Sequence, residues 1–208
     1  MMIDGPRMVP LFIEPASLRV LFIGGGMVAL RKAEHLRDCL ITVISKEIND
    51  ELRNLTSNTI DRGFSSDDLD LINQHDIVIA ATDDRVMNDF IVRESRARRV
   101  LVNSVHGGGD FMIPSTLRRD DFTICASTEG AAPVLPPFLI RTIDGMLDSN
   151  YDKMASLIKR VRSELRNRVT DQKARASLLE AILYDESIWA IVVEDPERAY
   201  QAAMELVR

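Results

Sequence analysis

Apolar positions along the chain follow two different periods. Leu18 to Ile23 (LRVLFI) is a short β-branched and aromatic run that ends directly on Gly24-Gly25-Gly26, the pattern of a strand buried on both faces. Met27, Leu30, Ala33 and Leu36 then recur at three-residue steps, which predicts a helix through Arg37. Cys39 to Ser45 (CLITVIS) reads as the next strand, completing a βαβ unit. Asp76 to Ala81 (DIVIAA) and Arg99 to Asn103 (RVLVN) read as the fourth and fifth strands. Between them a helix over Arg85 to Arg98 carries Val86, Phe90 and Ile91 on its apolar side. Alternation of this kind predicts an α/β fold with a Rossmann-type parallel sheet covered by helices.

After Val105 the pattern changes to a glycine-rich loop, Gly107 to Gly109, followed by Phe111 to Ile113 and a strand at Phe122 to Ser127 (FTICAS). The first domain is therefore expected to stop near residue 113. From Pro133 onward Val134, Phe138, Leu139, Ile143 and Met146, then Met154, Leu157, Ile158, Val161 and Leu165, keep i, i+3, i+4 spacing and predict helices. A strand is considered there only at Ile188 to Val193. Asp195-Pro196 is an N-cap followed by a proline at the first helical position, so Glu197 to Val207 is expected to be the last helix.

Composition narrows the class. A chain of 208 residues, 46% hydrophobic and 28% charged, is globular rather than disordered, collagenous or disulfide-stapled. It holds no apolar run of the roughly 18 residues a membrane helix needs, and Met1 to Val9 lacks a basic-then-apolar leader pattern. The expected compartment is the cytoplasm, with no membrane partner. Cys39 and Cys125 have neither CxxC spacing nor histidines at ligand spacing, so no protein metal site is expected. The net charge of −6 argues against a nucleic-acid partner. Residues 151–175 depart from it, with eight basic against three acidic side chains.

Candidate chemistry begins at Gly24-x-Gly26-x-x-Ala29, the dinucleotide fingerprint. The first glycine makes the tight turn, the second lets a pyrophosphate approach the backbone, and the N-terminus of the following helix faces the anion. Gly24, Gly25, Gly26, Met27 and Val28 are therefore expected to hold NAD. In an open parallel sheet the ligand lies outside the carboxyl ends of the strands, which adds Ser45, Thr82, Asp83 and Asn103. Asp84 has two readings, a crevice residue and a cap for the helix starting at Arg85. The acidic residue that would grip the adenosine ribose is not evident, since Ser45, Lys46 and Glu47 occupy its region. The choice between NAD and NADP stays open on that ground.

Four blocks carry a more specific resemblance: Leu21 to Ala33 (LFIGGGMVALRKA), Ala80 to Asp84 (AATDD) with Asn103, Phe111 to Ser115 (FMIPS), and Ala126 to Leu135 (ASTEGAAPVL). Their order and spacing over residues 8–208 resemble the precorrin-2 dehydrogenase and sirohydrochlorin ferrochelatase family of sirohaem synthesis. The resemblance implies an NAD-binding domain at 1–113, a dimerisation segment at 114–149 and a helical C-terminal domain at 150–208, working as a homodimer. It implies dehydrogenation of precorrin-2 to sirohydrochlorin with NAD as hydride acceptor, and in some relatives ferrous iron insertion, where the macrocycle nitrogens are the ligands. Precorrin-2 carries eight carboxylates, and Arg118, Arg119 and Arg141 lie near the family's cleft segments; Arg118 and Arg141 are expected to bind substrate together with Ser127 and Thr128. The basic stretch at 151–175 is a further source of cations or a solvated helix face.

One departure bears on the chemistry. Relatives carry an aspartate three residues beyond the position matching Asn103; here His106 stands there, and the segment to Phe111 looks two residues shorter. His106 is expected as a general base. Asp110, swinging in from the loop, is the alternative, and a loop histidine without a role is the third reading. The competing function is a non-catalytic protein of the same fold that binds NAD or a tetrapyrrole to regulate.

Overall fold

The computed structural model describes residues 8–207. The stretch Met1 to Arg7, most of what was read for a leader, lies outside them. The chain divides into two compact units, the first ending at Ile113 and the second beginning at Pro114.

In the first unit, β1 (Arg19–Gly25), α1 (Met27–His35), β2 (Leu40–Ile48), α2 (Asp50–Asn54) and β3 (Asn58–Ile60) precede a short 3-10 turn at Ser66–Asp68. α3 (Leu69–Asn73), β4 (Ile77–Ala80), α4 (Arg85–Ala97) and β5 (Leu101–Ser104) follow. The strands form one parallel sheet in the order β3-β2-β1-β4-β5. The chain thus builds outward from β1 on one side, then crosses over to build outward on the other. This places the topological switch between β1 and β4, where such sheets bind ligands beyond the strand ends.

β1 explains why the sheet needs helices on both faces. Val20 and Phe22 join a core with Ala29, Leu30 and Ala33 of α1, while Leu21 and Ile23 join Ile91 and Val92 of α4. Alternate side chains go to opposite faces, and the side chains from Val20 to Ile23 are all fully buried. An uninterrupted apolar run is the sequence image of that position.

The expected end of the second strand at Ser45 is corrected by the structure. β2 continues to Ile48. Its pairing with β1 jumps from Ile23 opposite Ile44 to Gly25 opposite Ile48. Ser45, Lys46 and Glu47 thus form an irregularity at the top of the strand, where period-two reading loses its register.

The second unit opens with an antiparallel hairpin, β6 (Ser115–Arg118) and β7 (Thr123–Ala126), with Ser115 opposite Ala126. Helices α5 (Leu135–Met146), α6 (Ser149–Arg168), α7 (Gln172–Leu183), α8 (Glu186–Ile191) and α9 (Pro196–Leu206) complete it. Met154, Leu157, Val161 and Leu165 form the buried stripe of α6 and pack with Ile182, Ile188, Val192, Ala199 and Ala203. Asp148, Asp171, Asp185 and Asp195 each cap the helix that follows with a side-chain oxygen. The strand considered at Ile188 to Val193 is instead mostly α8. Asp185 accepts from the N–H groups of Ser187 and Ile188, and Ile188 and Val192, four apart, are both fully buried. Among the described residues no helix is long and apolar enough to cross a membrane.

Candidate functional site

The three glycines at the end of β1 meet three different surroundings. A Cβ on Gly24 would lie 2.3 Å from the Ala81 carbonyl oxygen, and its φ of +110° is one that side chains rarely adopt. A Cβ on Gly25 would lie 2.3 Å from the Glu47 carbonyl oxygen. Gly26 faces open space, with nothing within 4 Å of that position. The first two let the strands close on the turn, and the third leaves room for a ligand.

Gly26 is also the N-cap of α1 and supplies no side-chain cap. The first-turn N–H groups, those of Met27 and Val28 included, have no intrahelical carbonyl and point at the space beside Gly26 with the positive end of the helix dipole. Met27 is 60% and Val28 38% exposed. This cradle fits a dinucleotide diphosphate.

Asn49 was missed by sequence reading. Its backbone N–H donates to the Gly25 carbonyl at 2.9 Å, and its side chain caps α2 and reaches the Met27 sulfur at 3.5 Å. It fastens the far end of β2 to the glycine turn.

Beyond β4, Thr82 and His106 converge on Asn88, a fully buried amide on α4. Asn88 Oδ1 accepts from the Thr82 N–H at 3.1 Å, and Thr82 Oγ1 lies 2.8 Å from the same oxygen. Asn88 Nδ2 donates to the Thr82 carbonyl at 2.9 Å and lies 2.9 Å from His106 Nδ1. Asp83 is exposed. Asp84 takes the capping role, its Oδ1 accepting from Val86 and Met87 N–H at 2.8 and 3.1 Å.

Asn103 and Asp110 do not stand free in the crevice. Asn103 Oδ1 accepts from Lys32 Nζ at 2.7 Å and its Nδ2 donates to the Phe111 carbonyl at 2.8 Å. The amide therefore braces α1 and the loop after β5. Burial, with Arg31 adding to it, pushes the Lys32 amine below its ordinary range.

The swing expected of Asp110 is corrected. One carboxylate oxygen is 2.7 Å from Arg96 Nε and the other accepts from the Val102 N–H at 3.2 Å. The Asp110 N–H donates to the Val102 carbonyl. Left-handed Gly107 and Gly108, at φ +87° and +76°, turn the chain back onto β5 and fix this carboxylate there.

In the second unit Ser127 Oγ accepts from the Glu129 N–H at 3.0 Å and Thr128 Oγ1 from the Ala132 N–H at 3.1 Å. Both hydroxyls thus shape the tight turn that holds Glu129 and Gly130 at positive φ. Arg118 ends β6, and Arg141 lies exposed on α5. Arg119, placed with them near the cleft segments by the resemblance, bridges Asp144 at 2.5 Å and Asp152 at 3.2 Å, so both of these carboxylates belong to its own unit.

The basic stretch at 151–175 is largely answered within its own unit. Lys159 pairs with Asp121, Arg160 with Glu197 while lying over the Tyr200 ring, and Arg168 with Glu164. Lys153 and Arg175 donate to backbone carbonyls. Among the described residues no group of His, Cys, Asp or Glu is arranged to hold a metal ion.

Residues 11–115 match the protein family described as "Putative NAD(P)-binding". The chain belongs to this NAD(P)-binding family. A precorrin-2 dehydrogenase of Methanosarcina barkeri is 29% identical over 96% of this chain and 93% of its own length. Siroheme synthase 2 of Pectobacterium atrosepticum is 31% identical over 93% of this chain, and a siroheme synthase of Ectopseudomonas mendocina 33% over 92%. The chain spans 43% of the length of each of these siroheme synthases. The solved structure of SirC, a precorrin-2 dehydrogenase, shares the fold with a TM-score of 0.76 at 19% identity, covering 96% of this chain and 98% of that one. The resemblance carried by the four sequence blocks, and the Rossmann-type sheet with its helical C-terminal part, are borne out.

Proposed function

We propose that this NAD(P)-binding chain is an NAD-dependent precorrin-2 dehydrogenase that produces sirohydrochlorin. The Methanosarcina relative, matched along nearly all of both chains, carries the reading, and the open Gly26 cradle at the start of α1 supports the cofactor. NAD, when bound, supplies the hydride acceptor. Two hydrogens leave the macrocycle, one as hydride to the nicotinamide and one as a proton to water, giving sirohydrochlorin, NADH and H⁺.

The chain's own part is binding and orientation. Gly24 and Gly25 let the backbone close, Gly26, Met27 and Val28 receive the diphosphate, and Ser45, Thr82 and Asp83 border the crevice. Asn103 acts on the site through Lys32 and Phe111. Ser127, Thr128, Arg118 and Arg141 are proposed to meet substrate carboxylates, with Arg141 exposed for that purpose. The protein works in the cytoplasm as a homodimer through α5, which exposes Phe138, Leu139 and Met146 beside Val134 at its N-cap.

The test is incubation with authentic precorrin-2 and NAD, following NADH absorbance and the sirohydrochlorin spectrum. NAD binding without turnover would replace this reading with a regulatory binding protein. Adding ferrous iron to the same incubation reports iron insertion as loss of the sirohydrochlorin band.

A further inference from the structure

Asn88 and His106 carry an inference that deepens the dehydrogenase reading and rests on it for the identity of the substrate. Orientation of the Asn88 amide is set by the backbone. The Thr82 N–H can only donate and lies 3.1 Å from one amide atom, so that atom is the oxygen. The Thr82 carbonyl can only accept and lies 2.9 Å from the other, so that atom is the nitrogen. The second hydrogen of this nitrogen points at His106 Nδ1, 2.9 Å away. Asn88 is fully buried, and flipping its amide would set donor against donor and acceptor against acceptor at Thr82.

His106 Nδ1 must therefore offer a lone pair, which leaves the ring hydrogen of the neutral imidazole on Nε2. Nε2 has no protein partner among the described residues, and the residue is exposed. The ring sits beside the end of β4: the Val105 N–H donates to the Ala80 carbonyl, and the His106 N–H to Ser104 Oγ at 3.3 Å. A general base at Nε2 would need its lone pair there and a hydrogen on Nδ1, facing the Asn88 N–H. The arrangement disfavours that form.

We propose that Asn88 is a positioning residue that fixes His106 as the Nε2–H tautomer, so that the ring donates a hydrogen bond to a carboxylate of the substrate rather than acting as its general base. A substrate carrying eight carboxylates offers an acceptor of this class, and a hydrogen bond to a charged acceptor is among the strong ones. His106 then contributes to binding and orientation, and the departing proton goes to water.

Two experiments test this. Long-range 1H–15N correlation spectra of the histidine rings at about pH 8, where an ordinary imidazole is neutral, report each tautomer directly. His106 is expected as Nε2–H. His75 is the internal contrast, because its Nδ1 lies 2.6 Å from the Leu71 carbonyl and must carry the hydrogen. Asn88→Asp, which puts a carboxylate opposite Nδ1, is expected to move His106 to the Nδ1–H form. An Nδ1–H or evenly mixed His106 in the wild type overturns the proposal whether or not that variant folds, and so does a folded Asn88→Asp with an unchanged tautomer.

The second experiment uses His106 itself, whose exposure makes its variants foldable. Glutamine can donate but cannot serve as a base near neutral pH. His106→Gln is expected to hold kcat/KM within about threefold, whereas His106→Ala raises KM about tenfold with kcat little changed. A loss of about 10²-fold in kcat for both variants is the signature of a lost base and overturns the donor role. Absence of turnover in the wild type would fail the dehydrogenase reading, not the tautomer, which the spectra decide alone.

Discussion

Lys32 Nζ, half-buried on α1, donates to Asn103 Oδ1 on β5 at 2.7 Å, and this bond joins the nucleotide-facing helix to the outer strand of the sheet. Asn103→Leu should leave the amine buried and unpartnered, costing about 1–3 kcal/mol in urea unfolding. Adding Lys32→Met should recover most of that loss, because both partners are then apolar. A double variant no more stable than Asn103→Leu would show that the bond is not what Asn103 contributes.

The fingerprint glycines should separate into two phenotypes. Gly26→Asp meets no steric obstacle and should unfold like wild type while losing NAD binding in calorimetry, since a carboxylate would fill the diphosphate space. Gly24→Ala should fold poorly, with a cost of at least about 1–3 kcal/mol, because its Cβ runs into the Ala81 carbonyl at positive φ. Unchanged NAD affinity in folded Gly26→Asp would remove this turn from the site.

Acid should destabilise the first unit through Asp68 and Asp76. Hydrogen bonds from Arg62, helped by Ser65, hold the Asp68 carboxyl down at about 2, and those from Arg19 do the same for Asp76. Both folded values lie below the unfolded value of about 3.9. Their stabilisation is therefore complete above that value and is lost as pH falls from about 4 towards 2. Asp68→Asn should lower stability at neutral pH by about 1–3 kcal/mol and flatten the decline between pH 5 and 2. Parallel acid profiles for variant and wild type would contradict this.

The exposed face of α5 should set the assembly state. Phe138, 56% exposed, is expected to be covered in the homodimer, so Phe138→Asp should give a particle of half the wild-type mass in light scattering at micromolar concentration. A wild type that is already monomeric there would refute the dimer.

The strands that build the crevice were legible because burial on both faces leaves an unbroken apolar run, as in β1 and β4. The crevice's polar wiring was less so. Ser45 was placed at a strand end because an irregular pairing breaks the alternation just where it mattered. α2, α3 and β3 are at most five residues long, too short to show the repeated i, i+3, i+4, i+7 spacing of a helix or a run of strand alternation. Asn88 did leave a signal: with Ile91, Val92 and Ser95 it lies on the inward stripe of α4, and an amide on an apolar stripe needs a buried partner. Which partner, Thr82 and His106, depended on strands brought together by the crossover, beyond the reach of local spacing.

The return of the loop onto β5 has a consequence for self-association. An outer strand normally shows a row of unsatisfied amides and carbonyls, a template on which another chain can add itself. Here the Asp110 carboxylate and backbone occupy both polar groups of Val102, so this border of the sheet is closed by a charged side chain standing in for a sixth strand. The opposite border, β3, is only three residues long. The sheet thus offers little free edge backbone on which a second chain could extend it, which disfavours growth into a shared, two-chain sheet and favours side-chain contacts where copies of this protein meet.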